Sequence, residues 1–90
     1  MAKAVFTSNN RTFEITAHTD FNGAMIDYMI WEVVRPKWKI FRTRYFAGGS
    51  FWIEDFPTVR EGLQHALDEF LAEEKRDQEN KKKFEDFENE

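Results

Sequence analysis

The chain has 90 residues, of which 17% are aromatic, and it carries no cysteine. This length predicts one small domain, and the missing cysteine excludes disulfides and thiolate metal sites. The formal charge of -4 disfavours strong binding to duplex DNA, because such binding depends on neutralising phosphates.

The charges are unevenly placed along the chain. Residues 1–57 carry seven basic and six acidic side chains, whereas residues 58–90 carry six basic and eleven acidic ones. The acidity therefore belongs to the C-terminal third. A local basic cluster in the first part remains available for contact with a negative partner.

The N-terminal sequence gives no sign of export. Its first ten residues contain one lysine and no apolar stretch of the kind found in signal peptides. No apolar run reaches the ~18 residues needed to span a bilayer. We therefore expect a cytoplasmic protein without membrane contact.

Residues 2–17 predict a β-hairpin whose turn is Asn9-Asn10, since both residues tolerate left-handed backbone conformations. In that register Phe6 and Phe13 share one face. Residues 18–23 predict a loop, and residues 26–34 predict a third strand, because they are rich in β-branched and aromatic side chains. This strand is apolar on both sides.

Residues 38–56 predict a second hairpin, which is also apolar on both sides. Gly48-Gly49 supplies its turn, since both glycines tolerate positive φ. This turn places Phe46 opposite Phe51 on one face and Tyr45 opposite Trp52 on the other.

The C-terminal helix can cover only one face of this sheet. The face with Tyr45 and Trp52 has no arginine, so we assign it to the helix-covered core. A shift of one residue in register would exchange the faces, and Tyr45 and Trp52 would then be the exposed anchors. The opposite face is the predicted partner-binding surface, and its members are Trp38, Ile40, Arg42, Arg44, Phe46, Phe51 and Ile53.

The helix is predicted to begin near Thr58, which forms a capping box with Glu61. Gly62 would let the helix approach the sheet closely. The helix has one apolar face, formed by Val59, Leu63, Ala66, Leu67, Phe70 and Leu71.

Residues 73–83 contain no apolar side chain, and two alternatives remain open for residues 74–90. They form either a charged extension of the helix or a disordered acidic tail. Phe84 and Phe87 lie in acidic surroundings within this segment and are a candidate tail motif.

Catalysis has little support in the sequence. His18 and His65 are isolated, and there is no phosphate-binding loop, dinucleotide-binding motif or nucleophile elbow. Glu54 and Asp55 are adjacent on a predicted strand and point to opposite faces. We therefore predict no enzyme activity, no catalytic residue, no metal, no cofactor and no small-molecule substrate.

Residues 35–52 interleave aromatic and basic side chains. Single-stranded nucleic acids bind aromatic platforms flanked by cations, and the same residue types are enriched in protein interfaces. Aromatic residues in strands also commonly form core. The candidate nucleic-acid contacts are Arg35, Lys37, Lys39, Arg42 and Arg44.

Together these patterns predict an α+β fold, with a meander of about five antiparallel strands and one C-terminal helix on one face. The domain covers residues 1–73. The expected function is non-enzymatic binding or regulation by protein–protein association, with a homodimer as the simplest case. Small proteins without cysteine and with a charged tail are common among the accessory factors of phages and mobile elements, so a factor of that kind is one expectation. Binding of single-stranded nucleic acid is the alternative.

Overall fold

The fold is a four-stranded antiparallel meander followed by one long helix. The computed structural model describes residues 2–34 and 42–90, and only the backbone of Arg42. Within these residues the strand order is β1-β2-β3-β4. The elements are β1 (Ala2–Ser8), β2 (Arg11–Asp20), β3 (Met25–Val34), β4 (Arg42–Trp52), a short 3₁₀ helix (Ile53–Asp55) and α1 (Val59–Glu88).

The first hairpin is confirmed in turn and register. Asn9 and Asn10 have φ values of 49° and 66°, as a turn with two left-handed residues requires. Phe6 pairs with Phe13 across the strands. Both rings are buried, so this hairpin turns its aromatic side toward the core.

The second connection is shorter than predicted. β2 continues through Asp20, so His18 belongs to a strand, and the turn occupies only residues 21–24. Phe21, Asn22 and Gly23 have φ values of 50°, 56° and 88°. The Asp20 carboxylate accepts a hydrogen bond of 2.8 Å from the backbone N–H of Phe21. This bond stabilises the start of the turn.

The predicted hairpin at residues 38–56 is wrong in its described part. Residues 42–52 form one strand, β4, which pairs with β3 along its length and contains both Gly48 and Gly49. Neither glycine has positive φ, which a two-residue hairpin turn would require. The described sheet therefore has four strands instead of about five.

A β-bulge interrupts the β3–β4 ladder at Phe46. Ile30 pairs with Ala47, whereas the next residue, Trp31, pairs with Tyr45. The extra residue shifts the alternation of side chains by one position. As a result Phe46 and Phe51 share one face of the sheet although they are an odd number of residues apart.

α1 covers one face of the sheet. Thr58 caps the helix by accepting a hydrogen bond of 3.2 Å from the backbone N–H of Glu61. On the predicted apolar face, Leu63, Ala66 and Leu67 are buried. The core is the cluster that these helical residues form with Phe6, Phe13, Ile15, Ala17, Ile26, Tyr28 and Ile30.

The helix continues without a break through Glu88, and it is 30 residues long. From Lys75 onward every residue is exposed. This corresponds to the helix-extension alternative for residues 74–90, while the division of the chain at residue 73 stays a prediction. In the described ranges, no helix is both long and apolar enough to cross a membrane.

Candidate functional site

The open face is the side of the sheet turned away from α1. Its members alternate with the core residues of each strand, and they are best followed on β3 and β4. Asp27 pairs with Ser50, Met29 with Gly48 and Trp31 with Tyr45. The open face of these two strands comprises Met25, Asp27, Met29, Trp31, Val33, Thr43, Tyr45, Gly48, Ser50 and Trp52.

Large apolar side chains dominate the open face. Tyr45, Trp52 and Met29 have 52%, 47% and 43% of their surface exposed. The rings of Trp31 and Tyr45 meet edge to face, with their centroids 5.4 Å apart. At the opposite end, Phe21 extends this apolar surface from the turn, with its ring centroid 6.5 Å from that of Trp52.

Gly48 shapes the middle of the open face. A Cβ atom added at this position would lie 2.9 Å from the hydroxyl oxygen of Tyr45. The tyrosine side chain therefore lies back along its own strand, over the bare backbone. In other sheets, an aromatic ring that covers a neighbouring strand glycine in this way stabilises the sheet.

Charges on the open face are few and mostly paired. On the β1–β2 side, Lys3 lies 3.3 Å from Glu14. His18 lies 3.5 Å from Asp27 and forms an ion pair when the imidazole is protonated. Asp27 is the only charged side chain on the described β3–β4 part of the face, so this surface is close to neutral.

An ion-pair network occupies the other side of the sheet, beside the helix. Arg11 donates to both oxygens of Glu32, at 2.9 and 3.1 Å, and to both oxygens of Glu74, at 2.6 and 3.2 Å. Arg44 donates to Glu32 at 2.8 Å. The network therefore ties β2, β3 and β4 to α1.

The network shifts the acid–base equilibria of its members. The hydrogen bond from Arg11 is the main reason that the pKa of Glu32 lies below its usual value, and Arg44 lowers it further. The same bonds raise the pKa of Arg11. Two arginines thus share one carboxylate, and the guanidinium of Arg44 is already engaged.

The structure inverts the predicted faces. Phe46 packs against the core, with its ring centroid 5.2 Å from that of Phe13. Phe51 also lies on the helix side, against Gly62. Assigning these two side chains to the uncovered face was wrong, and so was assigning Tyr45 to the core. The bulge keeps Phe46 on one face with Phe51 and Tyr45 on the other with Trp52, and α1 packs on the face of the first pair instead of the second.

The other predicted site residues are scattered. Arg44 points to the helix side and is bound to Glu32, and Ile53 lies in the 3₁₀ helix with 38% of its surface exposed. Phe84 and Phe87 are exposed near the end of α1, with ring centroids 6.3 Å apart. Outside the described structure lie Arg35, Lys37, Trp38, Lys39, Ile40 and the side chain of Arg42.

Sequence reasoning left Met29 and Trp31 out of the predicted site. The signal was present, because residues 26–34 are apolar on both sides and a single helix covers only one of them. The alternation of this strand shows which residues share a face. Only the position of α1 shows which of the two faces stays open.

In residues 2–34 and 42–90, no group of three His, Asp or Glu side chains is arranged to hold a metal ion. A cleft of about 520 Å³ lies between β4 and α1, lined in part by Phe46, Phe70 and Asp77. His18 and His65 are both outside this cleft.

Comparison with known proteins adds no relative. No family model matches the chain. No curated protein and no solved structure matches it either. Inferences about function therefore depend on the residues themselves.

Proposed function

We propose that this chain is a small binding protein without a catalytic role, which acts by protein–protein association, self-association included, through the open face. The observation that carries the proposal is the group of large apolar side chains that β3 and β4 leave uncovered. Tyr, Trp and Met are enriched in the cores of protein interfaces. Contiguous exposed apolar surface of this kind marks interaction sites.

The size of the open face suits a second copy of the chain. Four strands of seven to eleven residues, spaced ~4.8 Å apart with ~3.3 Å per residue, present a projected area of roughly 600 Å². A standard interface buries about 800 Å² of accessible surface on each partner. Projecting side chains make the accessible area larger than the projected one, so the two values are compatible.

The charges of the open face also suit a second copy. Asp27 is the single carboxylate among the described β3 and β4 residues of this face, and His18 lies beside it. Two such surfaces can meet about a two-fold axis without strong repulsion. The burial of apolar area would then drive association.

Nucleic-acid binding stays the alternative, and no specific observation favours it. Phosphate contacts need available cations. Arg44 is bound to Glu32 on the helix side, and Lys3 is paired with Glu14 on the open face. On the open face, the described aromatic rings of the candidate segment are Tyr45 and Trp52, and the described β3–β4 part of that face carries no cationic side chain beside them.

The test is the mass of the protein in solution, measured by size-exclusion chromatography with light scattering over a range of concentrations. Met29→Lys places a charge in the centre of the open face. We expect it to halve the mass found for the unchanged chain at high concentration. Val34→Lys is the matched control and should leave the mass unchanged, because Val34 is 39% exposed on the same strand as Met29 but on the opposite, helix-facing side of the sheet.

Two results would contradict the proposal. One is an unchanged chain that stays monomeric at every concentration. The other is an equal mass for Met29→Lys and the unchanged chain. A shift on adding a mixed-sequence single-stranded oligonucleotide would instead favour the alternative function, particularly if raised salt reverses it.

A further inference from the structure

The outer edge of β4 carries a second, independent surface. Among the described residues β4 pairs with β3 alone, so its other edge presents unpaired backbone groups. Residues 47–52 of this edge contain no charged side chain and no proline. Proteins commonly protect such edges with lysine, proline or a covering element.

Hydrogen bonding to β3 decides which backbone groups point outward. Ile53 donates its backbone N–H to the carbonyl of Ala24, at 3.0 Å. Since antiparallel pairs alternate between bonded and non-bonded types, Met25 and Trp52 form a non-bonded pair. Going back along β4 by two residues at a time gives two further non-bonded pairs, Asp27 with Ser50 and Met29 with Gly48. The outward N–H and C=O groups are therefore those of Gly48, Ser50 and Trp52.

The helix leaves this part of the edge accessible. The cleft between β4 and α1 is lined on the strand side by residues 44–47, and beyond it Gly49, Ser50 and Trp52 are exposed. The bulge at Phe46 disturbs the strand only before Ala47. Residues 47–52 are thus a regular and accessible segment, long enough for a short antiparallel ladder.

The segment is complementary to itself. When two copies are placed antiparallel with a two-fold axis at Ser50, all three outward residues enter hydrogen-bonded pairs. Gly48 then faces Trp52 of the other copy, and Gly49 faces Phe51. Tyr45 and Tyr28 of the same copy already cover Gly48 and Gly49, so the contact depends on the backbone bonds of the ladder, and it brings no charged side chain of residues 47–52 opposite another.

We propose that β4 of one copy pairs antiparallel with β4 of a second copy about a two-fold axis at Ser50. The contact joins two four-stranded sheets into one sheet of eight strands. Both helices lie on one side of that sheet, and the two open faces become continuous on the other. The occupant of this edge is a second copy because this register gives the outward backbone groups of Gly48, Ser50 and Trp52 a partner in both copies at once, and because residues 47–52 carry no charge that would repel a like segment.

Cysteine cross-linking tests the register. The chain has no cysteine of its own, so Ser50→Cys introduces a single thiol. In a hydrogen-bonded pair the two Cα atoms are ~5.5 Å apart, within the range of a disulfide. The experiment uses Met29→Lys as background, because that substitution removes the open-face contact. We expect a disulfide-linked dimer to form on mild oxidation.

Thr43→Cys in the same background is the matched control. Thr43 is exposed on the same strand and the same face, but it has no β4 partner in the proposed register. We expect its cross-linking to be at least tenfold slower. Equal rates for the two variants would overturn the proposed pairing. That result would leave the open-face proposal untouched, because the latter depends on the effect of Met29→Lys alone.

A charge pair at the axis gives a second test. Ser50→Lys and Ser50→Glu, each in the Met29→Lys background, place two like charges directly opposite one another, which weakens cross-strand pairing. We expect each variant alone to dimerise about fivefold more weakly. An equimolar mixture should form the mixed dimer in preference to either homodimer. A mixture that assembles no better than the separate variants would overturn the proposal.

Discussion

The ring of Phe51 lies so close to Gly62 that a Cβ atom at Gly62 would be 2.5 Å from the Phe51 Cζ atom. Phe51 is itself held between two aromatic neighbours, with its ring centroid 5.9 Å from that of Tyr28 and 5.2 Å from that of Phe56. The ring cannot easily move aside. Gly62 is therefore the position at which α1 approaches the sheet.

We predict that Gly62→Ala destabilises the fold by ~1–3 kcal/mol, the usual cost of an overpacked contact. The sign of this change tests the packing, because helix propensity alone would make Gly62→Ala stabilising: alanine stabilises an exposed helix by ~1 kcal/mol relative to glycine. Denaturant unfolding followed by circular dichroism measures the change. Gln78→Ala, on the exposed part of α1, is the control and should alter stability by less than ~0.5 kcal/mol. A more stable Gly62→Ala would contradict this packing.

Acid should weaken the fold through Glu32. The pKa of Glu32 in the folded protein is lowered by Arg11 and Arg44, so the unfolded chain binds a proton at higher pH than the folded one. The stabilisation is complete above the ordinary glutamate pKa of ~4.3 and is lost as the pH falls through the folded value.

We expect Glu32→Gln to flatten the loss of stability below pH ~4.5 that the unchanged protein shows. Urea unfolding at pH 7, 5, 4 and 3 would measure this. Glu73→Gln serves as a comparison, because Glu73 lies next to the network and is exposed. If both variants retain the same pH dependence as the unchanged chain, Glu32 is not its source.

Gly48 and Gly49 should respond differently to alanine. At Gly49 an added Cβ would lie 2.8 Å from the hydroxyl oxygen of Tyr28, a buried side chain that packs beside Phe51. At Gly48 the nearest atom is the hydroxyl oxygen of Tyr45, whose side chain is exposed and free to turn outward, and the backbone carbonyl oxygen of Tyr28 follows at 3.3 Å.

We predict that Gly49→Ala lowers the free energy of unfolding by at least ~1 kcal/mol more than Gly48→Ala does. The shortest contact at Gly48, unlike the one at Gly49, is relieved when one exposed side chain turns outward. Thermal and urea unfolding of the two variants give the comparison. Similar large losses of stability at both positions would contradict this prediction. They would instead favour a hairpin turn in which both residues must be glycine.

The end of α1 should be dispensable for folding. Removal of residues 79–90 takes away only exposed residues, Phe84 and Phe87 among them. We expect the melting temperature to change by less than about 2 °C, below the shift of about 4–8 °C that 1 kcal/mol produces in a small domain. Removal of residues 74–90 also deletes the Glu74 partner of Arg11, and it should lower the melting temperature further.

Local signals in the sequence were sufficient for the elements that depend on local interactions. The Asn9-Asn10 turn and the Thr58 cap are set by residues next to them in sequence, and both were predicted correctly. Gly48-Gly49 gave an equally clear local signal for a hairpin turn, and that prediction was wrong. β3 is ten residues long, and pairing with it along the whole of β4 outweighs a turn at the two glycines.

The open face was harder to predict for a different reason. The sequence grouped Tyr45 with Trp52 correctly, but it did so through a hairpin that does not form. In the structure Tyr45 and Trp52 share a face because the bulge at Phe46 shifts the alternation of side chains by one residue. Bulges are set by packing between strands, and here Phe46 lies against Phe13 from a strand two positions away in the sheet. No pattern within β4 reveals such a contact.

The bulge also gives β4 one position at which a residue can be lost without turning its neighbours over. Phe46 is the extra residue between Tyr45 and Ala47, which pair with the consecutive residues Trp31 and Ile30. Its deletion would restore strict alternation and leave Tyr45 on the open face and Arg44 opposite Glu32. A single lost codon would thus remove the ring that packs against Phe13 and leave the open face as it is.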